Sequence, residues 1–155
     1  MNNIKIDSTD RRILHELQNN AELGITELAA RVNLSSTPCW RRVQKLQDAG
    51  VIRKQVVLLD PAKVGLNVSV FMHIKTRNHS HAWYAAFAEK IANYDEVAEF
   101  YRMSGEYDYL MRIVVADIAA FDQFYKRLVE ETPDLSDVTS SFAMEQIKYT
   151  TALPI

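Results

Sequence analysis

Apolar positions between residues 7 and 50 recur at helical spacing. Ile13, Leu14 and Leu17 form one stripe, Leu28 and Val32 a second, and Cys39, Val43 and Leu46 a third, stepping i, i+4, i+7. Polar punctuation separates the stripes. Asp7 or Ser8 can cap the first helix, and Asn19-Asn20 ends it. Gly24 marks a turn, Thr26 is read as the cap of a short helix through about Val32, and Asn33-Leu34-Ser35 as a tight turn. Ser35 can cap the third helix. Pro38 falls in its first turn, where a missing N–H costs little, and Gly50 can end it in a left-handed conformation.

From Val51 the pattern changes. Val51 to Leu59 is rich in β-branched residues and reads as a strand, with Asp60-Pro61 as a break. Beyond it, Asn67–Thr76 reads as a strand and Ser80–Asn93 as a helix with Trp83, Phe87 and Ile91 at four-residue steps. Val97–Met103 reads as a strand, Gly105–Asp108 as a turn and Tyr109–Val115 as a further strand. Asp117 can cap a helix to about Glu131, with Phe121, Phe124 and Leu128 inward, and Thr132-Pro133 stops it. Val138 to about Tyr149 reads as the last strand. The predicted fold is α+β: a helical domain over 1–60 with a short wing, a linker over 61–66, and a β-α-β-β-α-β domain over 67–155. Two helices cover one face of such a sheet, and a partner subunit is the simplest cover for the other.

The chain has 155 residues, 48% apolar and 25% charged, which suits one or two small globular domains. No apolar run approaches the roughly 20 residues that span a bilayer, and Met1–Asp7 lacks the apolar core of a signal peptide. A cytoplasmic protein without a membrane partner is expected. The single cysteine, Cys39, excludes an internal disulfide framework, and its place on the third stripe makes it a packed thiol. Net charge is −2, yet five cations (Arg41, Arg42, Lys45, Arg53, Lys54) crowd between residues 41 and 54 around one acid, Asp48. Charge alone reads this equally as a solvated helix face or as a phosphate-contacting patch.

Two short helices joined by a tight turn and braced by a preceding helix make a helix-turn-helix, placed at about 26–45. With Cys39, Val43 and Leu46 inward, the third helix turns Ser36, Thr37, Trp40, Arg41 and Gln44 outward, with Arg42 and Lys45 at the flank. Arg can fork onto guanine, Gln onto adenine, and Thr can meet the thymine methyl. Ser35, Ser36 and the helix start suit phosphate, and Arg53 and Lys54 suit the DNA backbone. An ordinary three-helix bundle with a charged surface is the plainer reading of the same pattern. An enzyme finds little support. His15, His73, His79 and His81 lack companions at metal-ligand spacing, so His79 and His81 read as surface or cap residues. No Walker loop, nucleophile elbow or dinucleotide-binding glycine pattern occurs, and no cofactor is expected.

The stretch Leu34-Ser35-Ser36-Thr37-Pro38-Cys39-Trp40-Arg41-Arg42-Val43-Gln44-Lys45-Leu46, followed by Asp48-Ala49-Gly50-Val51-Ile52, closely resembles the helix-turn-helix of the Lrp/AsnC family of transcriptional regulators. Asp10–Leu14 resembles that family's opening helix, Gly105–Leu110 its glycine–aspartate turn, and Val138–Phe142 its last strand, so the resemblance spans nearly the whole chain. It implies a winged helix-turn-helix, a ferredoxin-like sensor domain, double-stranded DNA as partner, homodimers through the sheets that often assemble to octamers, and an amino acid as effector. It also implies an effector site between sensor domains, at Met103, Ser104, Gly105, Glu106, Tyr107 and Asp108, with Thr139, Ser140 and Ser141 from a neighbouring strand. There Asp108 can pair with an ammonium, while backbone N–H groups and hydroxyls receive a carboxylate. Without the resemblance, Gly105 and Asp108 read more simply as turn residues. The tail Asp137–Thr151 and the region Glu99–Arg112 resemble most a branch linked to cysteine handling, which points to cysteine or another sulfur or apolar amino acid. An effector-independent architectural protein, or a sensor without DNA contact, is the alternative.

Overall fold

A capping box begins the first helix. In the computed structural model, which describes residues 4–155, the Asp7 carboxylate accepts from the Asp10 N–H (2.8 Å) while the Asp10 carboxylate accepts from the Asp7 N–H (3.2 Å). The first three residues of the N-terminal stretch read above lie outside the described residues. Helix α1 spans Ser8–Asn19, α2 Ile25–Arg31 and α3 Ser36–Asp48. The cap of α2 is Gly24 rather than Thr26, so that helix starts two residues earlier than its polar signal suggests. Asn33 joins α2 to α3 in the left-handed region (φ 57°), and Leu34 N–H closes the turn on Ala29 O at 2.8 Å. Ile13, Leu14, Leu28, Ala29, Val32, Cys39 and Leu46 form the core of this unit. Each large apolar side chain buried there contributes about 1.5–3 kcal/mol.

Beyond Gly50 the strand expected over Val51–Leu59 is absent. Val51 and Ile52 pack back on the helical core, and residues 53–60 carry no helix or strand. Their β-branched composition favours an extended ladder, but this chain offers no strand to pair with. Val56, Val57, Leu58 and Leu59 are exposed in consequence.

The chain divides into two compact units. The first runs through Leu58 and also takes back Lys148–Ile155, while the second is Leu59–Ile147. Lys148–Ile155, read from the sequence as the end of the 67–155 domain, pack with the helical unit. The second unit opens with a single 3-10 turn, Ala62–Val64, ended by left-handed Gly65. It continues β1 (Val68–Thr76), α4 (His81–Ala92), β2 (Val97–Arg102), β3 (Tyr109–Val115), α5 (Ile118–Glu131) and β4 (Leu135–Phe142). The last strand thus lies earlier than the 138–149 expected. All neighbours in the sheet are antiparallel, in the order β2-β3-β1-β4. This is the ferredoxin-like arrangement read from the sequence.

Alternation sets the two faces of the sheet. Val70, Met72 and Ile74 of β1 and Tyr109, Met111, Ile113 and Val115 of β3 pack with Phe87 and Ile91 of α4 and Phe121, Phe124 and Leu128 of α5. The intervening residues Phe71, His73 and Lys75 of β1 and Leu110, Arg112 and Val114 of β3 point to the other face, which no helix covers. Polar pairs cross that face: Arg112 Nε meets Glu99 Oε1 at 2.6 Å, and Tyr101 donates to Glu99 Oε2 at 2.7 Å. These bonds hold the Glu99 carboxyl below its usual range, the tyrosine's more than the arginine's.

Candidate DNA-binding surface and sensor site

The outer side of α3 separates into free and tethered side chains. Cys39 and Leu46 are fully buried, and burial pushes the Cys39 thiol upward. Opposite them, Thr37, Trp40 and Arg41 are exposed, with Trp40 at 52% of its full surface, and Ser36 and Gln44 are partly so. Arg41 has no carboxylate within ion-pair distance among the described residues. Ser35 caps α3 only by position: it is exposed and its side chain makes no capping bond, so the first N–H groups of the helix lack a side-chain cap.

Arg42 and Lys45, read from the sequence as flanking residues of the DNA-facing side, lie toward α1. Arg42 Nη1 lies 2.7 Å from both Asp7 Oδ2 and Asp10 Oδ1, and Asp10 is fully buried. Lys45 Nζ sits 3.7 Å from Asp10 Oδ2. The buried carboxylate requires these cations, so Arg42 holds α3 against α1 rather than standing free. The Asp10 N–H and then Arg42 lower the Asp7 carboxyl to about 2. Arg53 and Lys54 are exposed on the irregular segment after α3, not on a wing strand.

The predicted effector residues divide between the two sides of the sheet. Gly105 carries φ 128° in the β2–β3 connection, and Met103 N–H donates to Asp108 O at 2.8 Å. Glu106 and Tyr107 lean over the uncovered face. There Lys75 Nζ meets Glu106 Oε1 at 3.2 Å and lies 4.8 Å from the Tyr107 ring, which also contacts His73. Thr139 and Ser141 share that face, opposite His73 and Phe71, and Ser140 points the other way with a buried hydroxyl that has no partner. Ser104 is exposed at the turn.

Met103 and Asp108 go elsewhere. With His79, His81, Tyr84, Arg102 and Tyr109 they line a cavity of about 240 Å³ where the end of β2 meets the start of α4. Asp108 also anchors the turn: its Oδ2 accepts from Thr76 N–H at 2.8 Å, and its own N–H donates to Ile74 O at 2.9 Å. Its Oδ1 is 3.8 Å from His79 Nδ1. Within one chain Thr139–Ser141 do not join this cavity, because β1 lies between β3 and β4. Sequence reasoning missed His79, His81, Tyr84 and Arg102. Only the cap at Ser80, which accepts from Trp83 N–H, signals locally that a helix begins there.

A helix-turn-helix with an exposed, partly basic second helix, joined to a separate sheet domain with its own cavity, defines a DNA-binding regulator with a sensor module. Family comparison agrees. Residues 6–53 match the winged helix-turn-helix DNA-binding family, and residues 69–153 match the Lrp/AsnC ligand binding domain. The chain belongs to the Lrp/AsnC family and is a DNA-binding transcriptional regulator. It is 54% identical to the DNA-binding transcriptional activator DecR of Escherichia coli, over 97% of this chain and 99% of that protein. It is 42% identical to a glutamate uptake regulatory protein of Zymomonas mobilis, over 97% of this chain and 92% of that one. Among solved structures, an AsnC family regulator from Agrobacterium tumefaciens matches with TM-score 0.92, 55% identity and 96% of each chain covered. A Neisseria meningitidis regulator crystallised with L-Met matches with TM-score 0.91, 36% identity and 97% of each chain covered.

Proposed function

We propose that the protein is a cytoplasmic homo-oligomer that reads operator DNA through the exposed side of α3 and changes its promoter occupancy when a small amino acid binds the sheet domain. The carrying observation is the contrast on α3: Arg41 and Trp40 stand free while the neighbouring Arg42 is ion-paired. Arg41, Gln44 and Thr37 contact bases. Trp40 packs beside them. Ser35 and Ser36 meet phosphates, as do Arg53 and Lys54; Lys45, half-exposed beside Asp10, reaches phosphate from the flank, and Arg42 supports the helix. The uncovered sheet face and the exposed segment Val56–Leu59 support association with a second copy, and dimers can assemble further. The amino-acid class of effector is supported by the L-Met complex of the Neisseria relative, and the turn residues Met103–Asp108 with Thr139–Ser141 remain the proposed effector region.

An effector can act only through unequal affinity for two states, and a site next to an inter-subunit face provides that inequality. The test is binding of the purified protein to its own upstream DNA, by mobility shift and light scattering, with each amino acid added in turn. Specific binding that weakens steeply with salt and moves with one amino acid is expected. Specific binding with no response to any of the twenty would instead leave an effector-independent architectural protein. No specific binding would leave a sensor without DNA contact.

A further inference from the structure

We infer that the C-terminal segment Lys148–Ile155 is a strap that couples the sheet domain to DNA reading, and that its docking on Gln18 of α1 favours the DNA-binding state. The inference rests on the DNA-reading and effector functions proposed above and assigns their coupling to one piece of chain.

The segment answers to both units. Sequence pattern joins it to the sheet domain, yet it packs with the helical unit. Its tie to the sheet is short. Ala143 N–H donates to Ser69 O at 2.9 Å, so the chain is still fixed to β1 one residue past the end of β4. Residues 144–147 alone separate that bond from the strap. A link of that length reaches at most about 14 Å. The strand at its near end, β4, carries Thr139, Ser140 and Ser141 of the proposed effector region.

The far end meets α1 through main-chain atoms. The Gln18 side-chain amide accepts from the Leu153 N–H and donates to the Leu153 carbonyl. Two bonds within the strap shape it for this contact: Ala152 N–H donates to Thr150 Oγ1, and Ile155 N–H to Leu153 O. Helix α1 is also the one whose Asp7 and Asp10 hold Arg42 of α3. A strap docked on α1 therefore steadies the helix that braces the DNA-reading helix, and a steadied reading surface binds with less ordering cost.

The docking is weak enough to switch. Tyr149, Leu153 and Ile155 are exposed and belong to neither apolar core. A segment held by a few hydrogen bonds and little buried apolar surface opens at low cost. The bonds to Gln18 bias the docked form by roughly fivefold to tenfold, the lower end of ordinary coupling between sites. Docked and open straps are thus two states that either unit can favour.

The test uses the full-length protein and its own upstream DNA in four forms: wild type, Gln18→Ala, Leu153→Pro and Leu153→Ala. Leu153→Pro deletes the N–H that donates to Gln18, whereas Leu153→Ala keeps every main-chain atom. Gln18→Ala and Leu153→Pro should each weaken DNA binding by about fivefold. Each should also shrink the response to whichever of the twenty amino acids moves the wild type. Leu153→Ala should match the wild type in both. Linkage gives the reciprocal readout: upstream DNA should slow amide exchange at Leu153 severalfold in the wild type and not in Gln18→Ala. Full DNA affinity and a full amino-acid response in Gln18→Ala and Leu153→Pro overturn the strap and leave the effector reading standing. A wild type that answers no amino acid removes the effector reading, and the strap then stands or falls on the DNA-induced slowing at Leu153. Losses in Leu153→Ala equal to those in Leu153→Pro overturn the main-chain latch. Gln18 and Leu153 lie outside both cores, so melting curves should show every variant folded.

Discussion

The side-chain amide of Gln18 closes a two-point bridge with the main chain of Leu153: Oε1 accepts from the Leu153 N–H at 2.6 Å, and Nε2 donates to its carbonyl at 3.2 Å. The pairing is read through backbone atoms, so it depends on Gln18 far more than on the leucine side chain, which is mostly exposed. Gln18→Ala should cost about 1 kcal/mol in the helical unit and speed amide hydrogen exchange at Leu153. Gln18→Glu keeps only the accepting half and should fall between. Exchange at Leu153 that is the same in all three proteins would refute the tether.

Arg41 and Arg42 are adjacent in sequence and should fail in opposite ways. Arg42→Ala strips a cation from the buried Asp10 and should destabilise the helical unit by about 1–3 kcal/mol. Arg41→Ala should leave the melting curve in place and cost about 1–3 kcal/mol of sequence-specific DNA affinity. Lys54→Ala should weaken specific and nonspecific DNA alike and flatten the salt dependence. Equal losses of specificity from Arg41→Ala and Lys54→Ala would defeat the proposed orientation of α3.

Acid should weaken the start of α1 through Asp7. Its folded value of about 2 lies below the ordinary 3.8, chiefly because the Asp10 N–H and then Arg42 favour the carboxylate. A depressed carboxyl contributes its stability above the unfolded value and loses it as pH falls through the folded one. The contribution is therefore whole above about pH 4 and fades toward pH 2. Asp7→Asn keeps a good cap without the charge. The stability gap between wild type and Asp7→Asn, followed by circular dichroism melts, should shrink across that window.

Alkali should act on Tyr94 in the other sense. Burial first, and then its hydrogen bond to Glu131 Oε2 at 2.6 Å, raise the phenol from 10.0 to about 12. A raised folded value means stability that is complete below pH 10 and declines as pH climbs toward 12. Absorbance titration should show a late-ionising fraction, to which Tyr101 and Tyr109 also contribute, and Tyr94→Phe should remove the part that ionises last.

Gly50 and Gly105, like Gly65, carry backbone that side chains resist. Gly50, at φ 71°, ends α3, with Val51 N–H closing on Leu46 O at 2.9 Å. Gly105 turns β2 into β3 at φ 128°. Neither would meet a clash from an added Cβ, so strain alone sets the penalty. Gly→Ala should cost about 1 kcal/mol or more at each. A neutral result at Gly105 by thermal melting would contradict the conformation.

Where interactions are local, the sequence announces them. Asp7 and Asp117 are caps identifiable by residue type, and Asn33 marks the turn between α2 and α3 as small polar residues do. The alternation of β1 and β3 foretells which face the helices cover. Strand pairing is a different matter. Val51–Leu59 has strand composition but no partner strand among the described residues, and the β1–β4 ladder ends at the Val70–Phe142 pair. The cavity was illegible for a similar reason. His79, His81 and Tyr84 meet Arg102 only because the register of β2 on β3 brings the end of one element to the start of another, and no spacing rule along the chain encodes that meeting. The ion pairs of Arg42 are not legible along the chain because its partners lie thirty-odd positions upstream, at Asp7 and Asp10.

The lone thiol offers a built-in clock. Cys39 is the only sulfhydryl in the sequence and has no exposed surface, so an alkylating reagent reaches it only when the trihelical core opens. Labelling speed therefore reports the opening of the DNA-reading half alone, whatever the other half is doing. Operator DNA should slow the clock, and an effector that reaches that half should change its pace.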